Sequence, residues 1–285
     1  MRQIIFMVFF VFLSGIQWLQ AARLQPETVE AWNVYVRATE QRIDEELSSR
    51  KKFLALDFQP ETESQEMRQI MRSGEIPVTE VKSVDSEGNI IKVPDGLIHH
   101  WRGSVFIPGV TLDEVYSRVV NPSANDTKQE DVLDSAVLER DAESLKMFLK
   151  LQRSAIVRVV YNTEHQVSFH KPNPEKAWSR SIATKIAELK DPQTPNEQEK
   201  PLGDDRGFLW RLNSYWRYQQ VEGGVIVELE SITLSRSIPL VFRIMVRPII
   251  NKIARESMER TLDSMRTRLV RGKANRESLA HTMLD

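Results

Sequence analysis

The stretch Ser237–Arg271, SIPLVFRIMVRPIINKIARESMERTLDSMRTRLVR, decides the fold. It reads as a short apolar helix, a break at Pro248, and then one long amphipathic helix. Ile250, Ala254, Met258, Leu262, Met265 and Leu269 recur at steps of four and three, which stacks them on one face; Ile249 and Ile253 widen the stripe. The opposite face sets Glu256 ahead of Arg260 and Asp263 ahead of Arg266, spacings that suit a solvated side. Arg266, Arg268 and Arg271 fall in the last turns, where positive charge opposes the helix dipole, and Gly272 is placed to cap. About 25 residues at helical rise make a rod of about 37 Å. A rod with one apolar stripe needs a broad partner surface.

The preceding text supplies a sheet. Phe208–Gln219 and Val225–Ser235 are strand-like and meet at Glu222-Gly223-Gly224, a hairpin. A turn centred on Glu222-Gly223 sets Arg217 opposite Glu228 and Tyr215 opposite Glu230 on one face. Trp216, Tyr218, Val227 and Leu229 then share the other. Upstream, Leu97–Ile107 (LIHHWRGSVFI) is the first main strand, ended by Pro108-Gly109, and Thr111 with Glu114 forms a capping box for a short helix. From Val132 to Leu189 the residues alternate in strand fashion, with turn signals at Asp141–Glu143 and Pro172–Pro174. Asp191–Gly207 reads as a long exposed loop. Nearer the start, Val29, Trp32, Val36, Ile43 and Leu47 keep a helical period from Thr28 to Leu47. Gln59–Glu75 is polar, a loop with a short helix, and Ile76–Gly96 holds two short β-prone runs around a turn.

The organisation expected is residues 1–22 as a signal peptide, 23–96 as a helix-and-hairpin extension, 97–271 as the main domain and 272–285 as a polar tail. The fold class is α+β: a curved antiparallel sheet wrapped around the C-terminal helix, with an extra N-terminal helix. Sheet and helix each have one apolar face to bury, and each covers the other.

Residues 1–22 combine Arg2, an apolar run from Ile4 to Leu13, and small residues at Ala21 and Ala22, the pattern of an export signal. The run is short of the roughly 20 residues that span a bilayer. A periplasmic or secreted chain is therefore expected, with an uncleaved anchor over residues 4–22, and so proximity to a membrane, as the minor alternative. The formal charge of −1 becomes −2 once Arg2 is removed with the signal, which gives no footprint for nucleic acid. With no cysteine there is no disulfide, thiolate nucleophile or thiolate metal site. His99 and His100 are adjacent on a strand and face opposite ways, and no metal-binding or phosphate-binding motif occurs. No metal, cofactor or catalytic set is expected.

Three segments together resemble the START-like (SRPBCC) superfamily: LIHHWRGSVFIPGVTLDEVY, NSYWRYQQVEGGVIVELESITLSRSIP and the long final helix. The resemblance covers about Leu97 to Arg271 and rests on element order rather than a catalytic signature. It implies the helix-grip fold, a cavity between sheet and last helix, and a small apolar or lipid-like ligand. Some members are cyclases or aromatases and others assembly factors, and no universal catalytic residue is carried over.

Trp101, Tyr161, Trp210, Trp216 and Tyr218 on the strands, with Met258, Leu262 and Met265 on the helix, are the candidate cavity wall. For any single one of them an ordinary core role is the reading favoured, while a cavity lined by several is what the resemblance implies. Arg217 and Glu230 are either a cross-strand pair on a wet outer face or a polar anchor for a ligand head group; the outer face is the reading favoured. The functions ranked are binding of an apolar ligand, then a cyclase-type enzyme, then an interaction factor built on helix Thr28–Leu47.

Overall fold

The structure, a computed structural model, describes residues 23–123, 130–154, 158–201, 203–237 and 240–282. The signal-peptide expectation for residues 1–22 lies outside the described residues.

The chain opens with α1 (Pro26–Leu47), a single 3-10 turn (Ala55–Phe58) and α2 (Glu61–Arg72). There follow β1 (Val78–Glu80), β2 (Gly96–Pro108), α3 (Leu112–Val120), β3 (Val132–Arg140), β4 (Ser144–Ser154), β5 (Arg158–Asn173) and β6 (Lys176–Lys190). Last come β7 (Gln198–Glu199), β8 (Arg211–Val221), β9 (Gly224–Arg236) and α4 (Leu240–Thr282). The strands form one antiparallel sheet in the order β1-β2-β9-β8-β6-β5-β4-β3, with β7 on β6 past the end of its pairing with β8. From β3 to β9 the main strands pair antiparallel with their neighbours in sequence; from β2 the chain crosses through α3 to β3 at the far end, and β9 returns to lie against β2.

The hairpin register is the one that the turn chemistry implies: Arg217 pairs with Glu228, Tyr215 with Glu230, and Gly223 takes a positive φ of 79° in the turn. The capping box at Thr111 and Glu114 forms.

Several elements differ from expectation. α4 does not break at Pro248 but runs through it, because a proline removes one backbone bond while the turns on either side keep theirs. Nor does Gly272 end it. The glycine instead makes room for Arg118, whose Nη2 would lie 2.0 Å from an added Cβ. The expected polar tail is therefore helical as far as Thr282. The polar stretch Gln59–Glu75 folds as α2. The two runs of Ile76–Gly96 share only a Val84–Ile90 bridge; the first instead adds β1 to the edge of β2.

Two layers cover the sheet. α4 packs on one face, chiefly over β2 and also β1 and β9. Its Leu262 and Met258 come down onto Gly103, where an added Cβ would lie 2.8 and 2.9 Å from their side chains. α1 covers the other face: Trp32, Tyr35 and Ile43 pack with Trp210, Tyr215, Ile232 and Leu234.

Candidate functional site

Neighbouring residues of α4 reach opposite ends of the sheet. Met258 sits on Gly103 of β2, while Ser257 donates 2.9 Å to the carboxylate of Asp131, at the entry to β3. Six strand-to-strand steps separate β2 from β3. At about 4.8 Å each that is roughly 29 Å of sheet, and its two ends are bridged by a helix about 10–12 Å wide. The sheet must arch. Seven strands closed by a helix make a ring comparable to an eight-stranded barrel, whose interior holds either side chains or one small ligand.

The inner face decides between those two. Trp101, Ser231, Ser214 and Ser181 stand side by side across β2, β9, β8 and β6. The next row is Gly103, Leu229, Trp216 and Ser179. Trp101, Ser231, Ser214, Ser181 and Trp216 are only half-buried, whereas Asn213, Tyr215 and Arg217, which point the other way from β8, are buried. Mid-sheet, then, the face under α4 is less fully covered than the face under α1, and its middle positions carry small residues.

The polar groups on this wall are held by uncharged partners. Thr163 donates to the Leu149 carbonyl at 2.9 Å, so its oxygen is left to accept from His165 Nε2–H, also at 2.9 Å. His165 Nδ1 is then the acceptor for the Ser181 hydroxyl at 3.4 Å. Burial, with Arg153 nearby, lowers the His165 pKa to about 4, so the ring is neutral at pH 7. Among the described residues no carboxylate touches it to stabilise an imidazolium, and the group orders hydroxyls rather than relaying protons. Tyr218 lies 3.3 Å from Ser179, and burial drives its pKa up. Tyr161 is 1 % exposed, among Val132, Leu151, Val159, Leu209 and Leu212, and its hydroxyl meets no hydrogen-bond partner among the described residues.

Seven of the eight wall candidates share this face or the helix over it: Trp101, Tyr161, Trp216, Tyr218, Met258, Leu262 and Met265. Trp216 and Tyr218 stack in parallel, 6.3 Å between centroids. Trp210 is elsewhere. It precedes β8, packs with Trp32 and Tyr35 of α1, and donates its indole N–H to Asp205 at 3.0 Å.

Arg217 and Glu230 do lie on the outer face, but that face is not wet: each is 5 % exposed beneath α1 and the 3-10 turn. The reason is the extension, which covers them with its own charges. Glu230 accepts from Arg42, from His100 Nε2 at 2.7 Å and from Arg102 Nε at 3.0 Å. Tyr35 accepts from the Ser83 amide, so its hydroxyl donates to His100 Nδ1 at 2.9 Å, which leaves the His100 proton on Nε2 for Glu230. Arg217 pairs with Glu46 and donates to the Phe53 carbonyl at 2.8 Å. Glu228 accepts from the Ala55 and Leu56 amides at 2.6 and 3.1 Å. The space left between these groups, about 10 Å³, has room for a single water. It is a joint, not a binding pocket.

Neither His165, nor the serine row, nor Glu228 as a docking group was marked by any residue pattern. Arg42 and Glu46 at i and i+4 on α1 were the available signal for the joint. Among the described residues no cluster of metal-binding side chains occurs, and no helix is long and apolar enough to cross a membrane.

No protein-family model matches the sequence, and no curated protein matches it. Solved structures do. Human STARD10 aligns over 82% of this chain and 89% of its own, at 10% identity and a TM-score of 0.46. A STAR-related lipid transfer protein from Xanthomonas axonopodis aligns over 67% of this chain and 98% of its own, at 17% identity and 0.43. The Zhui aromatase/cyclase from Streptomyces aligns over 61% and 95%, at 9% and 0.42. By its own element order and sheet topology, an arched antiparallel sheet closed by one long C-terminal helix, the chain has a helix-grip fold.

Proposed function

We propose that the protein binds one small apolar or lipid-like molecule in the hollow between the arched sheet and α4. The observation that carries this is the half-buried row Trp101, Ser231, Ser214 and Ser181, with Trp216 beside it, on a face that a helix already spans. The aromatic rings offer apolar contact and the serines leave volume. The hydroxyls and the imidazole on this wall are neutral, and the buried Glu188 farther along β6 is already paired with Lys200, so an apolar molecule can enter without breaking an ion's hydration there.

The test is uptake of diphenylhexatriene, an apolar fluorophore, by the purified full chain. Fluorescence should rise on binding to the wild type and be lost in Ser214→Trp, which fills the hollow. A wild type that takes up neither this fluorophore nor any lipid would end the reading.

We also infer export, supported by the run Ile4–Leu13 and the small residues Ala21 and Ala22. Cell fractionation with N-terminal sequencing of the recovered chain tests it. A mature start near residue 23 in the periplasm or medium supports export, a retained apolar segment in the membrane fraction supports the anchored alternative, and a cytoplasmic chain that begins at Met1 overturns both.

A further inference from the structure

We propose that the Tyr161 hydroxyl is the hydrogen-bond donor that fixes the ligand's orientation, and that the ligand is an uncharged molecule with a carbonyl or ether oxygen on an apolar body. This assignment rests on the apolar-ligand reading above and narrows it.

Tyr161 lies on the inner side of β5 with Thr163 and His165, two and four residues on, both of which join the wall network. It pairs with Leu151 of β4, which in turn pairs with Val132 of β3. The residue before Val132 is Asp131, which α4 holds through Ser257. The Tyr161 row therefore ends beside the residue that α4 holds, toward the end of the arch where β6 has left β8.

Thr163, His165, Ser179, Ser181 and Tyr218 all satisfy one another or a carbonyl. Tyr161 does not, although it is among the most deeply buried side chains of the molecule. Native interiors rarely leave a buried hydroxyl unpaired, so an unpaired one on a binding wall points to a partner that arrives with the ligand.

The chemistry of that partner follows from what surrounds the ring. Burial first, then the carboxylates of Glu188 and Asp205, push the phenol's pKa far up, while Arg153 and Arg206 oppose this. The hydroxyl thus stays protonated and donates, and its partner must accept. Glu188 is fully buried and already occupied by Lys200 at 2.5 Å and the Arg206 amide at 2.8 Å. The nearby cations are already committed, Lys200 and Arg206 to Glu188 and Arg153 to Asp131, so an anionic head group would give up its water for no free counter-charge, a cost that a ketone, ester or ether oxygen does not carry.

The experiment displaces diphenylhexatriene from the wild type and from Tyr161→Phe with 2-dodecanone, and separately with laurate. The variant should fold as the wild type does, because no protein hydrogen bond is lost, and should take up the fluorophore equally, since that molecule has no oxygen. Displacement by 2-dodecanone should need about tenfold more ketone in Tyr161→Phe, the loss of one ordinary hydrogen bond. Laurate should compete more weakly than the ketone in the wild type. Equal displacement by the ketone in both proteins would overturn the assignment, and would mean that water alone meets the hydroxyl. Laurate stronger than the ketone, and weakened by the substitution, would overturn the uncharged class. A wild type that never takes up the fluorophore would instead overturn the apolar hollow, and this assignment with it.

Discussion

Glu228 and Glu230 lie two apart on one strand and face the same way, yet their surroundings push them in opposite directions. Burial raises the pKa of both. At Glu228 it prevails over Arg102, Arg217 and the two backbone amides, and the pKa stays above the usual range. At Glu230 the opposing Arg102, the hydrogen bond from His100 and Arg42 together win, and the pKa falls well below it. Glu230→Gln should therefore leave Arg42 and Arg102 short of their counter-charge in a dry site, a loss of roughly 3–5 kcal/mol. Glu228→Gln should lose less, because one amide oxygen can still accept from the 3-10 turn and the charge removed was already disfavoured. Urea unfolding of the two variants checks the ordering. Residue pairing on this hairpin was legible from the turn alone, because alternation fixes partners. Which face was dry was not, since the cover for Arg217 and Glu230 is a helix more than 170 residues earlier in the chain.

At the scale of elements, α1 and α4 do the same job on opposite faces with different chemistry. α4 relies on an apolar stripe over Gly103, and α1 on Trp32, Tyr35 and Ile43 around a charged joint. Trp32→Ala should cost about 3–5 kcal/mol by leaving a core cavity, with no change in fluorophore uptake if the two faces are independent. Gly103→Val should do the reverse. Its branched side chain meets Leu262 and Met258 and lifts the helix, at about 1–3 kcal/mol of overpacking, and uptake of diphenylhexatriene should change with it. Calorimetry alongside the fluorescence assay separates the two. The stripe on α4 was readable because it repeats every three or four residues. The continuity of α4 through Pro248 and Gly272 was not, because residue type marks where a helix can stop, not where packing (here against Arg118) obliges it to go on.

For the whole molecule, buried histidines set the response to acid. His99 and His165 each have a pKa of about 4 in the folded chain, against 6.5 when free in solution, both through burial. His100 is shifted the same way by burial, against the pull of Glu230. A depressed folded pKa means that the unfolded chain binds the proton first. The stability involved is present above pH 6.5 and is lost as pH falls toward 4, by about 1.4 kcal/mol per unit for each such group. Glu230 extends the loss below that window, and Glu228, with its raised pKa, works against it. Chemical denaturation between pH 7 and 4.5 should show a steady fall, shallower in His165→Gln. A flat profile would mean that these rings take up protons in place. The arched sheet with its closing helix was foreseeable, because each element exposes one apolar side. A cavity between them was expected only through the family resemblance, and the rows of serine and glycine on that face were not legible, because they line up across strands that are distant in sequence.

The two fastenings of α4 are unequal. On one flank Met258 and Leu262 are wedged into a glycine gap, a greasy weld that resists water. On the other, Ser257 and Arg260 of α4 hold Asp131, which Arg153 of β4 shares, and Arg260 also reaches Glu130. A ring with one strong seam and one weak seam yields at the weak one, with the strong one as its pivot. Asp131→Asn should therefore speed cargo exit more than it lowers thermal stability, and added salt should do the same to the wild type, both read as off-rates by stopped-flow fluorescence.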